Sequence, residues 1–188
     1  TQVLTLFPYT TLFRSAPQGE LRHRYVLALY GILRRVTRDY PEILFEGCAG
    51  GGGRMDFGML PFFPQSWASD DTDAAFRASI QHATGLLFPP LATGAHLSAS
   101  PNHQTGRASS LLSRALCAYG GVFGLELDPT RMDEGERAAA AALVARYKDR
   151  RALLQLGERR RLLSPYEGED AAFASVAKDR SRAQIGRA

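Results

Sequence analysis

The sequence predicts an α/β fold built on a parallel sheet, followed by a short antiparallel region. Three observations lead there. Between residues 20 and 151, stretches with helical periodicity alternate with short apolar runs, and such alternation implies parallel strands joined by helical crossovers. The glycine-rich and polar stretches each follow a predicted strand, so they share one end of the sheet. Beyond residue 151 the helical period gives way to brief extended runs broken by Gly157, Pro165 and Gly168, a pattern of hairpins.

The first predicted helix covers residues 20–39. Tyr25, Leu29, Ile32, Leu33 and Val36 fall on one stripe, Arg22, Arg34, Arg35 and Arg38 lie mostly outside it, and Pro41 stops it. Residues 42–46 form a short apolar strand that ends at a glycine run. Residues 55–60 suit one helical turn. A second strand, at 66–69, delivers three aspartates. Asp73 then caps a helix to about residue 84, with Phe76, Ile80 and Ala83 inward and Gly85 as its stop. A third strand covers 91–98 and leads to the polar loop Pro101-Asn102-His103-Gln104-Thr105-Gly106-Arg107. Residues 109–118 read as a helix with Leu111, Leu112 and Leu116 inward, and 122–127 as a fourth strand. Residues 133–151 are the clearest helix: Asp133, Glu134 and Glu136 open it, and Lys148, Arg150 and Arg151 close it, which complements the helix dipole. Residues 153–156, 161–163 and 172–177 are the extended runs that follow. The alternation suits half of a (β/α)₈ barrel, with chemistry on the loops after the strands, and equally a doubly wound open sheet. No internal repeat is present.

Composition narrows the function classes. A chain of 188 residues is long enough for a real core, and 45% hydrophobic with 22% charged residues is ordinary for a globular protein. Net charge is a modest +4. Arg146, Arg150, Arg151, Arg159, Arg160 and Arg161 form a basic patch, but no RNA-reading aromatic motif accompanies it, so it reads as a solvated face rather than a nucleic-acid site. No apolar run is long enough to span a membrane. Two cysteines, Cys48 and Cys117, make no disulfide framework and fit a reducing compartment.

Two stretches carry the chemistry. In Trp67-Ala68-Ser69-Asp70-Asp71-Thr72-Asp73, three carboxylates lie within four residues beside an aromatic. Like charges and an apolar neighbour both raise a carboxyl pKa, as a general acid near neutral pH requires. An acidic helix start after a flexible loop accounts for the same residues. The second stretch, Gly47-Cys48-Ala49-Gly50-Gly51-Gly52-Gly53-Arg54, is too glycine-dense for a helix or strand interior and suits a loop that comes close to a ligand. It is no P-loop, because no Gly-Lys-Ser/Thr follows, and Gly50, Gly52 and Met55 fail the dinucleotide pattern. Its backbone N–H groups suit an oxygen ligand such as a sugar hydroxyl. A nucleophilic Cys48 with His96 or His103 as base has nothing in the spacing to support it. Zinc on His82, His96, His103 and aspartates matches no common ligand set.

The runs Ile43-Leu44-Phe45-Glu46-Gly47-Cys48-Ala49-Gly50-Gly51-Gly52-Gly53-Arg54, Trp67 to Asp73, and Gly94-Ala95-His96-Leu97-Ser98-Ala99-Ser100-Pro101-Asn102-His103-Gln104 resemble the α-galactosidases of glycoside hydrolase family 36. Leu162-Leu163-Ser164-Pro165 is similar too, and the resemblance covers about residues 20–184. It implies the second half of a (β/α)₈ TIM barrel followed by the start of an antiparallel β-domain. It further implies that Asp70, the first aspartate of Ser-Asp-Asp-Thr-Asp, is the general acid/base, and that Cys48 and Gly51 contact the galactose. Gly47 and Ala49 stand where the family has serines, a small-for-small change. The family's nucleophile, an aspartate in a Lys-Trp-Asp motif, belongs upstream of residue 20, and no such motif is present. The resemblance therefore implies one of two catalytic carboxylates, a retaining mechanism in the intact enzyme, and no metal or organic cofactor.

Several expectations follow. The intact enzyme releases terminal α-galactose from raffinose-type oligosaccharides. The alternatives are a raffinose-synthase-like galactosyl transferase, or a chain that is non-catalytic as cut. Its partner is a galactosyl oligosaccharide, with no nucleic acid and no membrane; homo-oligomerisation stays open, and the expected location is cytoplasmic. Leu6-Phe7-Pro8-Tyr9-Thr10-Thr11-Leu12-Phe13-Arg14-Ser15 reads like a sequencing adapter translated in frame, and Ile185-Gly186-Arg187-Ala188 like the start of the opposite-strand adapter. The expected division is 1–15 adapter-like, 16–151 partial catalytic domain, 152–184 start of the β-domain and 185–188 adapter-like. Both ends are expected to pack poorly. Asp70 is expected to point into the strand-end cleft, Asp71 to point away or orient its neighbours, and Asp73 to cap a helix.

Overall fold

The computed structural model describes residues 18–168 and 170–187. The chain forms two units, one ending at Leu44 and one beginning at Phe45. The expectation for residues 1–15 lies outside the described residues.

The first unit holds helix α1 (Gln18–Asp39). Glu20 and Arg24 pair one turn apart at 2.6 Å near its start. Pro41 follows its end, and the Ile43 N–H closes a turn on the Tyr40 carbonyl. That turn shortens the strand expected at 42–46: only its last residue is extended, and Ile43 and Leu44 are exposed.

The second unit opens with a four-stranded sheet, β1 (Glu46–Gly47), β2 (Gln65–Trp67), β3 (Thr93–Ser98) and β4 (Val122–Glu126). The strands are neighbours in chain order and all parallel. A doubly wound sheet reverses its strand order at a switch point. No such reversal occurs among these four strands, which matches an arc of a (β/α)₈ barrel. Helix α2 (Ala74–Thr84) joins β2 to β3, α3 (Leu111–Ala118) joins β3 to β4, and α4 (Glu134–Leu156) follows β4. Residues 55–60 hold hydrogen-bonded turns rather than a helix; Asp56 accepts from the Gly58 and Met59 N–H groups.

Alternation along β3 sets the layers. Ala95 and Leu97 point to the helices, where Leu97 is fully buried with Ala115, Ala118, Tyr119, Tyr147 and Leu154. Burying a leucine of this kind contributes about 1.5–3 kcal/mol. The Tyr147 hydroxyl donates to the Gly121 carbonyl at 2.8 Å and accepts from the Phe123 N–H at 3.1 Å, tying α4 to β4. Gly94, His96 and Ser98 alternate with these residues and belong to the opposite, barrel-interior face.

The helix faces differ from expectation. On α2, Phe76 and Ala83 are exposed, and the buried residue is Arg77. On α3, Leu112 is exposed, while Arg114, Ala115, Cys117 and Ala118 are buried. Small and polar side chains fill these faces because the helices lie close to the sheet backbone and bond to it. Residues 153–156, expected to be extended, are the last turn of α4. Leucine is a good helix former, and Leu154 lies two turns from Tyr147, so both reach one core. Gly157 ends the helix, its N–H bonded to the Leu153 carbonyl.

The antiparallel region is a three-stranded sheet in chain order: β5 (Glu158–Leu163), β6 (Ala172–Val176) and β7 (Ala183–Arg187). Of the C-terminal tail expected to pack poorly, Ile185 and Arg187 are exposed, yet residues 185–187 pair as part of β7. Ile185 pairs with Ala174 and Gly186 with Phe173. Gly186 is buried, and a Cβ there would meet the Phe173 ring at 2.9 Å.

Candidate active site

The site is built where β1 and β2 end. Cys48 follows β1, and its Sγ lies 3.8 Å from Asp70 Oδ1 beyond β2. Both residues are exposed at that end of the sheet. The glycine run turns between them. Gly50, Gly51 and Gly52 have positive φ (67°, 73° and 92°), which glycine adopts without strain, and Ala49 before them is also left-handed at 52°. A Cβ on Gly51 would sit 2.7 Å from the Asp70 nitrogen and 3.0 Å from its Cγ, and one on Gly52 would sit 2.5 Å from the Ala68 carbonyl oxygen. The bare backbone is thus needed to let the acidic loop come close. The three residues singled out in the sequence, Cys48, Gly51 and Asp70, meet at one place.

The three aspartates have different surroundings. Asp71 Oδ1 accepts the Asp73 N–H at 3.0 Å, and the Asp71 N–H donates to Ser69 Oγ at 3.1 Å, so Asp71 shapes the loop. Asp73 is 1% exposed. Its Oδ1 accepts the Ala75 N–H and caps α2; its Oδ2 accepts from Thr105 Oγ1 at 2.7 Å and pairs with Arg107 Nε at 2.9 Å. Asp70 alone keeps an exposed carboxylate at the cleft.

The loop after β3 fixes the acidic loop. Asn102 is buried; its Nδ2 donates to Thr72 Oγ1, and its Oδ1 accepts the Gln104 and Thr105 N–H groups. Gln104 Oε1 accepts from the Thr72 N–H at 2.8 Å and hydroxyl at 3.0 Å, and its Nε2 donates to the Asp70 carbonyl at 2.8 Å. From the helix side, Arg77 donates to the Ser69 carbonyl at 2.9 Å and the Gly94 carbonyl at 3.0 Å, with its guanidinium 4.2 Å from the Trp67 ring. Burial holds that guanidinium below its usual pKa. Sequence reasoning missed Arg77 and Gln104 as positioning residues. The available signal was Arg77 and Gln81 one turn apart on α2, among small alanines.

The histidines do not gather. His96 stacks on Trp67 at 4.3 Å with its Nδ1 3.7 Å from Glu126, His82 lies edge-on to Tyr166, and His103 is exposed. Cys48 has the Asp70 carboxylate as its neighbour, and no cluster of metal-ligating side chains occurs among the described residues.

A family model described as melibiase matches residues 5–157. The chain belongs to the melibiase family. Within it, the chain is 51% identical over 168 residues to alpha-galactosidase AgaA of Geobacillus stearothermophilus, covering 89% of this chain and 23% of that protein. It is 46% identical to alpha-galactosidase 1 of Pediococcus pentosaceus, covering 94% of this chain and 24% of that one. Solved structures agree. The glycoside hydrolase family 36 enzyme AgaB of G. stearothermophilus superposes with a TM-score of 0.84 at 52% identity, over 87% of this chain and 22% of that one. An AgaA variant in complex with raffinose gives 0.87 at 49%, over 90% and 24%. The chain thus spans about a quarter of the length of these melibiase relatives.

Proposed function

We propose that this chain carries the acid/base half of a retaining α-galactosidase that releases terminal α-galactose from raffinose-type oligosaccharides. The observation that supports it best is the meeting of Asp70 with Cys48 and Gly51 at the ends of β1 and β2. That position suits a carboxyl group that protonates the leaving oxygen of a sugar held against the glycine turn, then takes a proton from water. The nucleophile is a second carboxylate about 5–5.5 Å away across the sugar, as retention requires, contributed by sequence outside these residues. This chain alone is therefore inactive. A reducing, cytoplasmic location fits the two free thiols.

The test follows the anomeric proton of galactose by NMR while the full-length enzyme digests raffinose. α-Galactose should appear first and mutarotate to β. First appearance of the β anomer would overturn the reading. With excess sucrose or galactinol present, a galactosylated product in place of free galactose would identify a transferase instead.

A further inference from the structure

A cavity lies away from the Asp70 cleft, between α2, α3 and the β5–β6 pair. Its volume is about 70 Å³, several times the roughly 10–15 Å³ that one water needs. Phe88, Leu116 and Phe173 form apolar wall, while His82, Arg159 and Arg161 also line it. No carboxylate is among the described residues of the lining.

Arg159 and Arg161 are two apart on β5, so they leave the strand on one face. The Arg159 guanidinium lies 3.8 Å from the Phe173 ring centre, and its Nη2–H donates to the Gly120 carbonyl at 3.0 Å. Its Nε is buried with no partner among the described residues. None of the ion pairs among the described residues includes Arg159 or Arg161. Burial, and Arg161 beside it, pull the Arg159 guanidinium down to about 10. His82 is lowered by burial and by Arg161, against an opposing pull from Glu167, which is not in the lining. A cation withdrawn from water without a counter-charge destabilises the fold, and an anion that joins it relieves that penalty.

We propose that this cavity binds a small free oxyanion of the phosphate class between Arg159 and Arg161, with the apolar wall shielding it from water. The guanidinium forks suit the tetrahedral oxygens. The site is separate from the Asp70 cleft, so it stands or falls independently of the galactosidase reading.

The test is thermal unfolding of the 188-residue chain in inorganic phosphate against chloride at matched ionic strength, with NMR titration of His82 in parallel. Phosphate should raise the melting temperature where chloride does not, and should raise the His82 pKa. Arg161→Gln removes its repulsion of Arg159, so without phosphate the melting temperature should hold or rise, while phosphate binding should weaken roughly tenfold or more, the loss expected for a charge-assisted bond. Arg159→Gln should abolish binding; if it fails to fold, Arg161→Gln still decides. Equal effects of phosphate and chloride, or an unchanged phosphate response in Arg161→Gln, would overturn the proposal.

Discussion

Gln104 donates a side-chain N–H to the backbone carbonyl of Asp70 at 2.8 Å, across a gap of 34 residues. The same amide accepts twice from Thr72, so one side chain holds both ends of the Asp70–Thr72 segment. If Asp70 is the acid/base, its accuracy depends on this clamp. In the full-length enzyme, Gln104→Ala should lower kcat by about 10²-fold, as loss of positioning does, while KM changes little. The pH profile should keep its shape, because Gln104 does not titrate. A loss confined to KM would remove Gln104 from this role.

Gly51→Ala tests the close approach. An added Cβ meets the Asp70 backbone nitrogen at 2.7 Å, and the φ of +73° adds strain. The strain alone costs about 1–2 kcal/mol, and the clash displaces the acidic loop. Gly50→Ala is the control, with a φ of +67° but nothing within 4 Å. Both variants should lose stability in urea, and only Gly51→Ala should also lose activity in the full-length enzyme. Equal activity in the two would show that the approach of loop to loop is unimportant.

Arg77 ties α2 to the ends of β2 and β3 through two carbonyls. Arg77→Met keeps the length of the side chain and removes both bonds. It should destabilise the fold by roughly 3 kcal/mol, since hydrogen bonds to charged groups carry about 1.5–3 kcal/mol each and methionine recovers some packing. Urea unfolding measures this; a change below about 1 kcal/mol, the scale of one neutral hydrogen bond, would mean the carbonyls find other donors.

Cys117 predicts an alkaline limit. Burial pushes its thiol up from the ordinary 9.0 to about 12. The folded state thus holds the proton more tightly than the unfolded state. The stability linked to this group is complete below about pH 9 and falls as pH rises from there to about 12. The slope is at most about 1.4 kcal/mol per pH unit for one proton. Melting curves between pH 8 and 11, roughly, should decline less steeply in Cys117→Ala than in the parent. Parallel declines would show that other groups set the alkaline limit.

Short apolar runs placed β2, β3 and β4 to within about two residues at their ends, whereas β1 keeps only the last residue of the run expected at 42–46. The acidic motif and the glycine run were legible because both break ordinary helix and strand composition. The polar ties between loops, helices and strands were not. Arg77, Arg114 and Gln104 look like surface residues until the carbonyls they bond come within reach, as does Asn102 until the Thr72 hydroxyl does, and these partners belong to strands and loops distant in sequence. The helical end of α4 was missed for a related reason: Leu153 and Leu154 suit a strand equally well until Tyr147 and the core beneath it fix the choice.

The last prediction concerns Asp70. Asp71 is occupied in shaping the loop and Asp73 in capping α2 and pairing with Arg107, which leaves Asp70 as the exposed carboxylate beside Cys48. In the full-length enzyme, Asp70→Ala should slow hydrolysis of raffinose by about 10²–10⁴-fold, the range of general acid–base catalysis. Activated aryl galactosides should suffer less in the first step, because their leaving groups need little protonation. Azide should partly restore turnover by replacing the water that Asp70 activates, and the product should be a galactosyl azide. Asp73→Ala should instead lower the melting temperature, since removing an N-cap costs about 0.5–2 kcal/mol before loss of its Arg107 pair is counted. If Asp70→Ala kept near-parent activity on raffinose while Asp73→Ala abolished it in a folded protein, the acid/base would be Asp73 and the cleft geometry would need another explanation.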